Sequence, residues 1–275
     1  MALPYDREMS LRVMTWNVWW RFGPWEQRQA AIIATLKAEH ADVICLQEVW
    51  ASDTGEDQVA MLAAAIGFHH ARTPAPFWDG YSFGNAVLSR WPILDSQTHV
   101  LPDAAGRPSH RNVLVATIDA PFGPLQALSS HLEFRFDRST TREVQTRALA
   151  RIVADIRNDP ERSFPVVIGA DFNAGPHTDE MRHLFGAGQP EVDNLIFHDA
   201  FAVAGDGSPG YTWSTDNPHL ADATWPNRRL DYVLVSWPRP KGVGTPVSCW
   251  TSGTTPVAGV VPSDHFAVVA ELRTQ

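Results

Sequence analysis

Two rhythms of apolar residues alternate along the chain. The first is a short, β-branched run that stops at an amide, carboxylate or imidazole. Met14-Thr15-Trp16-Asn17, Val43-Ile44-Cys45-Leu46-Gln47-Glu48, Ala127-Leu128-Ser129-Ser130-His131 and Pro165-Val166-Val167-Ile168 before Gly169-Ala170-Asp171-Phe172-Asn173 are of this kind. Such runs predict buried strands whose last polar residues are delivered onto loops at one sheet edge. The second rhythm is helical. Trp25, Ile32, Ile33 and Leu36 recur at that spacing between about Pro24 and His40, and Val144, Ala148, Leu149, Ile152, Val153 and Ile156 form a longer stripe.

In order, the pattern predicts a strand over Leu11 to Trp19, the first helix, and a strand over Asp42 to Val49, which together make a crossover unit. A helix over Asp57 to Ile66 follows. Phe83 to Ser89, Ile93 to Leu101, Asn112 to Asp119 and Leu125 to His131 read as antiparallel hairpin strands between Pro and Gly. Thr140-Thr141-Arg142-Glu143 has the form of a capping box at the start of the long helix. The second half repeats the first: a strand over Pro165 to Asp171, helices near Asp179 to Phe185 and from His198, and closing strands over Leu230 to Ser236, Pro246 to Thr251 and Phe266 to Leu272. Gly205 to Arg229 is too long for a simple connection, with Tyr211-Thr212-Trp213 as its expected anchor. This order predicts an α/β chain with two sheets packed face to face and helices outside.

Composition narrows the class. At 275 residues and 44% hydrophobic, the chain can bury a substantial core, and a single domain over 1–275 is expected, with residues 1–9 as a flexible lead. No apolar run reaches the length of a membrane span, and Met1 to Glu8 lacks a basic flank before an apolar core, so the expected location is the cytoplasm. Cys45 and Cys249 suggest buried thiols, not a disulfide framework or zinc cluster. A formal charge of -9 argues against broad coating of nucleic acid and fits a pocket that holds a divalent cation.

Asp171 and Asn173 are two residues apart at a strand exit, so their side chains point the same way, one able to take a proton from water and the other to donate to a phosphoryl oxygen. Alone, that stretch is an ordinary strand-to-turn exit. Its recurrence at Asn17, Glu48, His131, Asp231 in Leu230-Asp231-Tyr232, and Ser263-Asp264-His265 shifts the reading towards one shared pocket.

Thr15-Trp16-Asn17-Val18, Leu46-Gln47-Glu48-Val49, Gly84-Asn85-Ala86-Val87, Ser130-His131-Leu132-Glu133, Gly169-Ala170-Asp171-Phe172-Asn173, Arg229-Leu230-Asp231-Tyr232 and Ser263-Asp264-His265 resemble, in order, the motifs of the endonuclease/exonuclease/phosphatase superfamily. The resemblance implies a four-layered αββα sandwich of two mixed sheets and hydrolysis of a phosphate ester assisted by magnesium or manganese. It implies Glu48 as a metal ligand with Asn17 and Asp264, Asp171 as the group acting on water, and Asn173, His131 and His265, the last oriented by Asp231, as donors to the phosphoryl group. Arg111, Trp213 and Asn85 are candidates for substrate contact.

Trp19 and His131 stand where the apurinic endonuclease branch has an aspartate and a tyrosine. This moves the chain towards the branch of deoxyribonuclease I, the sphingomyelinases and the tyrosyl-DNA phosphodiesterases. The expected partner is a phosphate-ester substrate, nucleic acid foremost, acted on by a monomer. The competing readings are a small-molecule phosphatase, a sphingomyelinase-like lipid enzyme and a catalytically silent binding protein.

Overall fold

In the computed structural model, residues 10–74, 76–157, 163–237 and 242–275 are described. The lead expected over residues 1–9 lies outside them. The first half runs β1 (Ser10–Asn17), α1 (Trp25–Glu39), β2 (Val43–Val49), α2 (Gln58–Ile66), β3 (His69–Arg72), β4 (Pro76–Trp78), β5 (Tyr81–Ser82) and β6 (Gly84–Ser89). Then come β7 (Ile93–Pro102), β8 (Pro108–Ala120), β9 (Gly123–His131), α3 (Ser139–Ile156) and β10 (Val167–Asp171). The chain closes with α4 (Asp179–Arg182), β11 (Phe197–Asp199), α5 (Ala200–Ala204), β12 (Asp231–Ser236), β13 (Pro246–Ser252) and β14 (Ala267–Arg273).

Two six-stranded mixed sheets result, in the orders β13-β14-β1-β2-β6-β3 and β11-β12-β10-β9-β8-β7. Each is built around one parallel pair, β1 with β2 and β9 with β10, joined through α1 and α3 respectively, and every other pairing within the two sheets is antiparallel. Side-chain alternation divides each strand between two apolar layers. Leu11, Val13, Val43, Cys45, Ala127, Val167 and Val233 pack between the sheets. Met14, Trp16, Ile44 and Leu46 pack with Ile32 and Leu36 of α1 and Leu62 of α2, while Leu128, Ile168, Ala170 and Tyr232 pack with Leu149 and Val153 of α3. Helix, sheet, sheet, helix is the four-layered αββα sandwich. No helix among the described residues is long and apolar enough to cross a membrane.

The start of α3 departs from the sequence pattern. The helix begins at Ser139 after Arg138, and no side chain caps it. Instead Ser139 Oγ donates to Glu180 Oε2 at 2.8 Å and Arg142 Nε donates to Glu180 Oε1 at 2.6 Å. A buried ion pair with α4 thus replaces the capping box expected at Thr140 and Glu143. β3, β11 and the β4–β5 hairpin also went unread, being too short or too exposed to show alternation.

Candidate active site

Three polar strand ends stand side by side across the second sheet: Asp171 is the register partner of His131 on β9 and of Asp231 on β12. On the facing sheet, Asn17 on β1 follows Leu11 and Val13 in the phase that points between the sheets. Glu48 does not follow that phase. Alternation along β2 sends Val43 and Cys45 inward and Ile44 and Leu46 outward, so Glu48 belongs on the helix side. However, the β2–β6 register shifts between Gln47 and Val49, and Glu48 has φ of 56°. The bulge re-aims the carboxylate into the inter-sheet site.

The Asn17 amide is the centre of the arrangement. Its Nδ2 donates to Glu48 Oε1 at 3.1 Å and to Asp171 Oδ2 at 3.0 Å, while its Oδ1 accepts from the Trp19 N–H at 2.9 Å. Asp171 Oδ1 accepts the Asn173 N–H at 2.9 Å, and Asn173 Nδ2 donates to the Leu132 carbonyl at 3.3 Å. His265 Nδ1 lies 2.8 Å from Asp231 Oδ2, leaving Nε2 4.0 Å from Asp171 Oδ2. His131 approaches from the other side, with Nε2 3.5 Å from Asp171 Oδ2 and Nδ1 3.9 Å from Glu48 Oε1.

Burial and crowding set the protonation states. Asp171 is raised to about 7 by burial and by the Asp231 charge, against the pull of His265 and the Asn17 and Asn173 hydrogen bonds. Asp264 is raised to about 6 by burial, with Glu48 contributing in the same direction, and burial raises Glu48 as well. Burial disfavours the His265 cation, yet Asp231, Asp171 and Asp264 together hold it well above the ordinary histidine value. His131 goes the other way, lowered by burial and then by the Arg111 and His265 charges. At neutral pH the site therefore holds an imidazolium, a neutral imidazole and a carboxylate poised near neutrality.

A divalent cation fits this donor set. Glu48 Oε2 is buried and has no hydrogen-bond partner, a costly state for a carboxylate oxygen unless a cation meets it. Asn17 Oδ1 keeps a second lone pair, and Asp264 is within electrostatic reach of Glu48. Asp171, Asp231 and His265 also offer ligand atoms within 4.8 Å of one another. Asp231 Oδ1 is likewise buried without a partner, but the charge of Asp231 is met by His265 at 2.8 Å, whereas the nitrogen of the neutral His131 beside Glu48 is 3.9 Å away, so the Glu48 side is the better cradle.

The remaining predicted residues divide. The Arg111 guanidinium makes no hydrogen bond or ion pair among the described residues; it sits 5.7 Å from the Phe134 ring, and its charge is felt by Glu48 and His131. Trp213 stands against Phe136, at 6.4 Å, and Phe136 contacts Trp225 at 4.7 Å. Asn85 makes no hydrogen bond to the cluster: its Nδ2 donates to Asn112 Oδ1 at 2.9 Å, bridging the two sheets, and its Oδ1 is buried without a partner.

Several supports escaped sequence reasoning. Fully buried Arg28 donates to the carbonyls of Val18, Trp19, Trp20, Phe22 and Pro262, fastening the loop after Asn17 to the segment before Ser263. Gln47 Nε2 donates to Thr15 Oγ1, Ser129 Oγ and the Gly169 carbonyl, stitching the two sheets beneath the site. Nothing in the sequence marks either side chain for that work. Thr212 does lie in the expected loop anchor, and it accepts at Oγ1 from the Leu230 and Asp231 N–H groups and at its carbonyl from the Phe266 N–H. It thereby fixes the Asp231–His265 pair from both strands.

The fold and this cluster together define a class. The sequence matches the Endonuclease/Exonuclease/phosphatase family over residues 14–265, and the chain belongs to that family. Among solved structures, it is similar to an endonuclease/exonuclease/phosphatase from Beutenbergia cavernae, at 26% identity and a TM-score of 0.70, covering 97% of this chain and 72% of the other. The human Nocturnin catalytic domain with bound sulfate superposes with a TM-score of 0.73 at 22% identity, covering 98% and 95% of the two chains. D. rerio TDP2 complexed with a single-strand DNA product gives 0.72 at 21% identity, covering 96% and 99%. No protein of curated function matches the sequence.

Proposed function

We propose that this chain is a divalent-metal-dependent phosphodiesterase that cleaves nucleic-acid strands by attack of water, with residues 14–265 as its catalytic domain. The observation that carries the reading is the Asn17 amide, which ties a carboxylate with a free oxygen to a carboxylate poised near neutrality. Magnesium or manganese, held by Glu48 with Asn17 and Asp264, would supply a Lewis acid for the phosphoryl oxygen. Asp171 takes the proton of the attacking water, a role suited to a carboxyl near pH 7. Asn17 and Asn173 hold its two oxygens in place. His265, kept charged and oriented by Asp231, donates from Nε2 to the oxygen on which negative charge builds, and neutral His131 donates beside it.

A strand is favoured over a small phosphoester by the ridge beside Arg111. Arg111 and Arg135 lie 5.7 and 5.8 Å from the Phe134 ring, and Arg228 lies 4.0 Å from Phe136. Alternating guanidinium and aromatic groups suit phosphates and stacked bases. The likeness to TDP2 with its single-strand DNA product points the same way. A second reading, a lipid phosphodiesterase, draws on the β4–β5 hairpin, where Phe77 and Trp78 are 57% and 69% exposed. The test is turnover with magnesium or manganese, and a chelator control, on bis-p-nitrophenyl phosphate, a phosphomonoester, single- and double-stranded DNA, a 5′-phosphotyrosyl oligonucleotide and sphingomyelin vesicles. Chelator-sensitive cleavage of the DNA substrates is expected; hydrolysis of monoesters or sphingomyelin alone would replace this reading.

A further inference from the structure

One cleft is lined by none of the residues of the catalytic cluster. It has a volume of about 970 Å³ and lies beyond β12, between α5 and the long segment that precedes Asp231. Gly175 lines it two residues after Asn173, and Arg229 lines it two residues before Asp231. Two residues of extended chain span at most about 7 Å. The cleft therefore begins within a nucleotide or two of the scissile position.

Its walls are preformed. Arg229 Nη1 and Asp199 Oδ2 make a buried ion pair at 2.6 Å. Gly210, with φ of 66°, lies so close to the Phe201 ring that a Cβ there would stand 2.6 Å from it, and Gly205 packs against the same ring. Only glycine permits that approach together with that backbone angle. The loop is thus clamped onto Phe201, leaving Tyr211 on the cleft wall at 41% exposure.

Two polar groups in the lining have unmet capacity. His198 Nδ1 is buried without a partner. Asn227 Oδ1 accepts from the Thr215 N–H at 3.0 Å, but its amide N–H groups find no acceptor among the described residues. Arg228 lines the cleft and also covers Phe136, so the cleft continues the cation–aromatic ridge. Aromatic walls, an amide donor, an imidazole and an adjoining guanidinium fit a planar heterocycle attached to a phosphate. A lipid chain would leave the amide and imidazole unmet, and a bare sugar phosphate would leave the rings uncovered.

We infer that this cleft is a base-binding subsite, which holds one nucleobase of the substrate strand a short, fixed distance from the scissile phosphate. The inference rests on the nucleic-acid reading above and adds a position to it. The experiment is steady-state cleavage of single-stranded oligonucleotides, each lacking one base at a successive position, by the wild-type protein, Tyr211→Ala and Asn227→Ala.

In the wild type, loss of the base at one position should raise KM about tenfold or more while kcat holds, as stacking energies imply. In the two variants that penalty should shrink towards nothing, since the partner it measures is gone. Cleavage equally efficient with every base removed overturns the subsite and leaves the nuclease reading intact. So does a penalty that persists in both variants. A wild-type protein that hydrolyses bis-p-nitrophenyl phosphate but no oligonucleotide overturns the nuclease reading, and the subsite with it.

Discussion

The two crossover units share one backbone plan and carry opposite chemistry. β1-α1-β2 and β9-α3-β10 are each a parallel pair joined by an outer helix and flanked by antiparallel strands, and both end at the same edge. The first ends in Asn17 and Glu48, with a carboxylate oxygen that no protein group meets. The second ends in His131 and Asp171, where imidazoles and amide donors surround the carboxylate. In the proposed function, the first unit holds the cation and the second moves the proton. The difference lies in the polar residue at each strand's end and, for Glu48, in a single bulge. A fold can therefore supply convergence while terminal residues supply the reaction.

The most damaging way to break that division is Asp171→Asn. It removes the base while keeping the size of the side chain, and turnover of bis-p-nitrophenyl phosphate should fall by about 10³-fold or more. Folding should survive, since the substitution relieves a buried charge beside Asp231. Near-full activity in this variant would mean that the proton is taken elsewhere.

Glu48→Gln attacks the other unit, and its signature differs. Activity should drop by roughly 10²-fold or more, and the stabilisation that added magnesium or manganese gives the wild type should vanish. Thermal melts with and without the cation read this directly. If the melting temperature of Glu48→Gln still rises with metal as in the wild type, the cation is held by Asp171, Asp231 and His265 instead.

The pH dependence of stability sharpens the same comparison. Asp171, near 7, Asp264, near 6, and the raised Glu48 all bind protons more readily when folded than unfolded. His265 does the same above the ordinary histidine value, while His131 opposes the trend. The folded state thus carries extra protons above the unfolded carboxylate range, and their release costs stability as pH rises through the folded values. Metal-free protein should melt at a lower temperature at pH 8 than at pH 5, and a divalent cation should remove most of that fall. A melting temperature that climbs steadily over this range without metal would contradict the protonation states assigned here.

Much of this plan was legible because apolar runs that stop at a polar residue are visible in one dimension. The crossover units, the outer helices, and the convergence of Asn17, His131, Asp171, Asp231 and His265 follow from such runs and their order. Glu48 was legible as a strand end but not in its aim, because alternation alone points it at the helix layer and only the bulge turns it round. Arg28 reads as one more charge on an amphipathic helix. Its five carbonyl partners come from segments that meet only in three dimensions. Asn85 has the motif's place, yet its Nδ2 is turned to Asn112 across the sheets, and its Oδ1 is buried without a partner. The cleft's outer wall is a turn-rich loop with no periodicity, and the sequence announced it only through that loop's length.

The two units approach closely at Gly169 of β10. A Cβ there would lie 2.6 Å from Cys45 Cβ on β2 and 3.0 Å from Thr15 Cβ on β1. Glycine inside a strand here marks a close approach of the sheets. Gly169→Ala should cost about 1–3 kcal/mol in urea unfolding, from forced separation of the layers. A neutral result would show that the two units can slide apart without loss.

The smallest effect separates the helices that cover the two units. On the first, Asp57 caps α2 by accepting the Val59 and Ala60 N–H groups at 2.9 and 3.1 Å, so Asp57→Ala should cost about 1 kcal/mol. On the second, exposed Thr140 caps nothing, because α3 is pinned through Arg142 and Glu180. Thr140→Ala should therefore change stability by less than about 0.5 kcal/mol, or raise it slightly through helix propensity. Equal losses in the two variants would restore the capping box at Thr140, and would mean that α3 is held by its own first turn and not by the second sheet's outer layer.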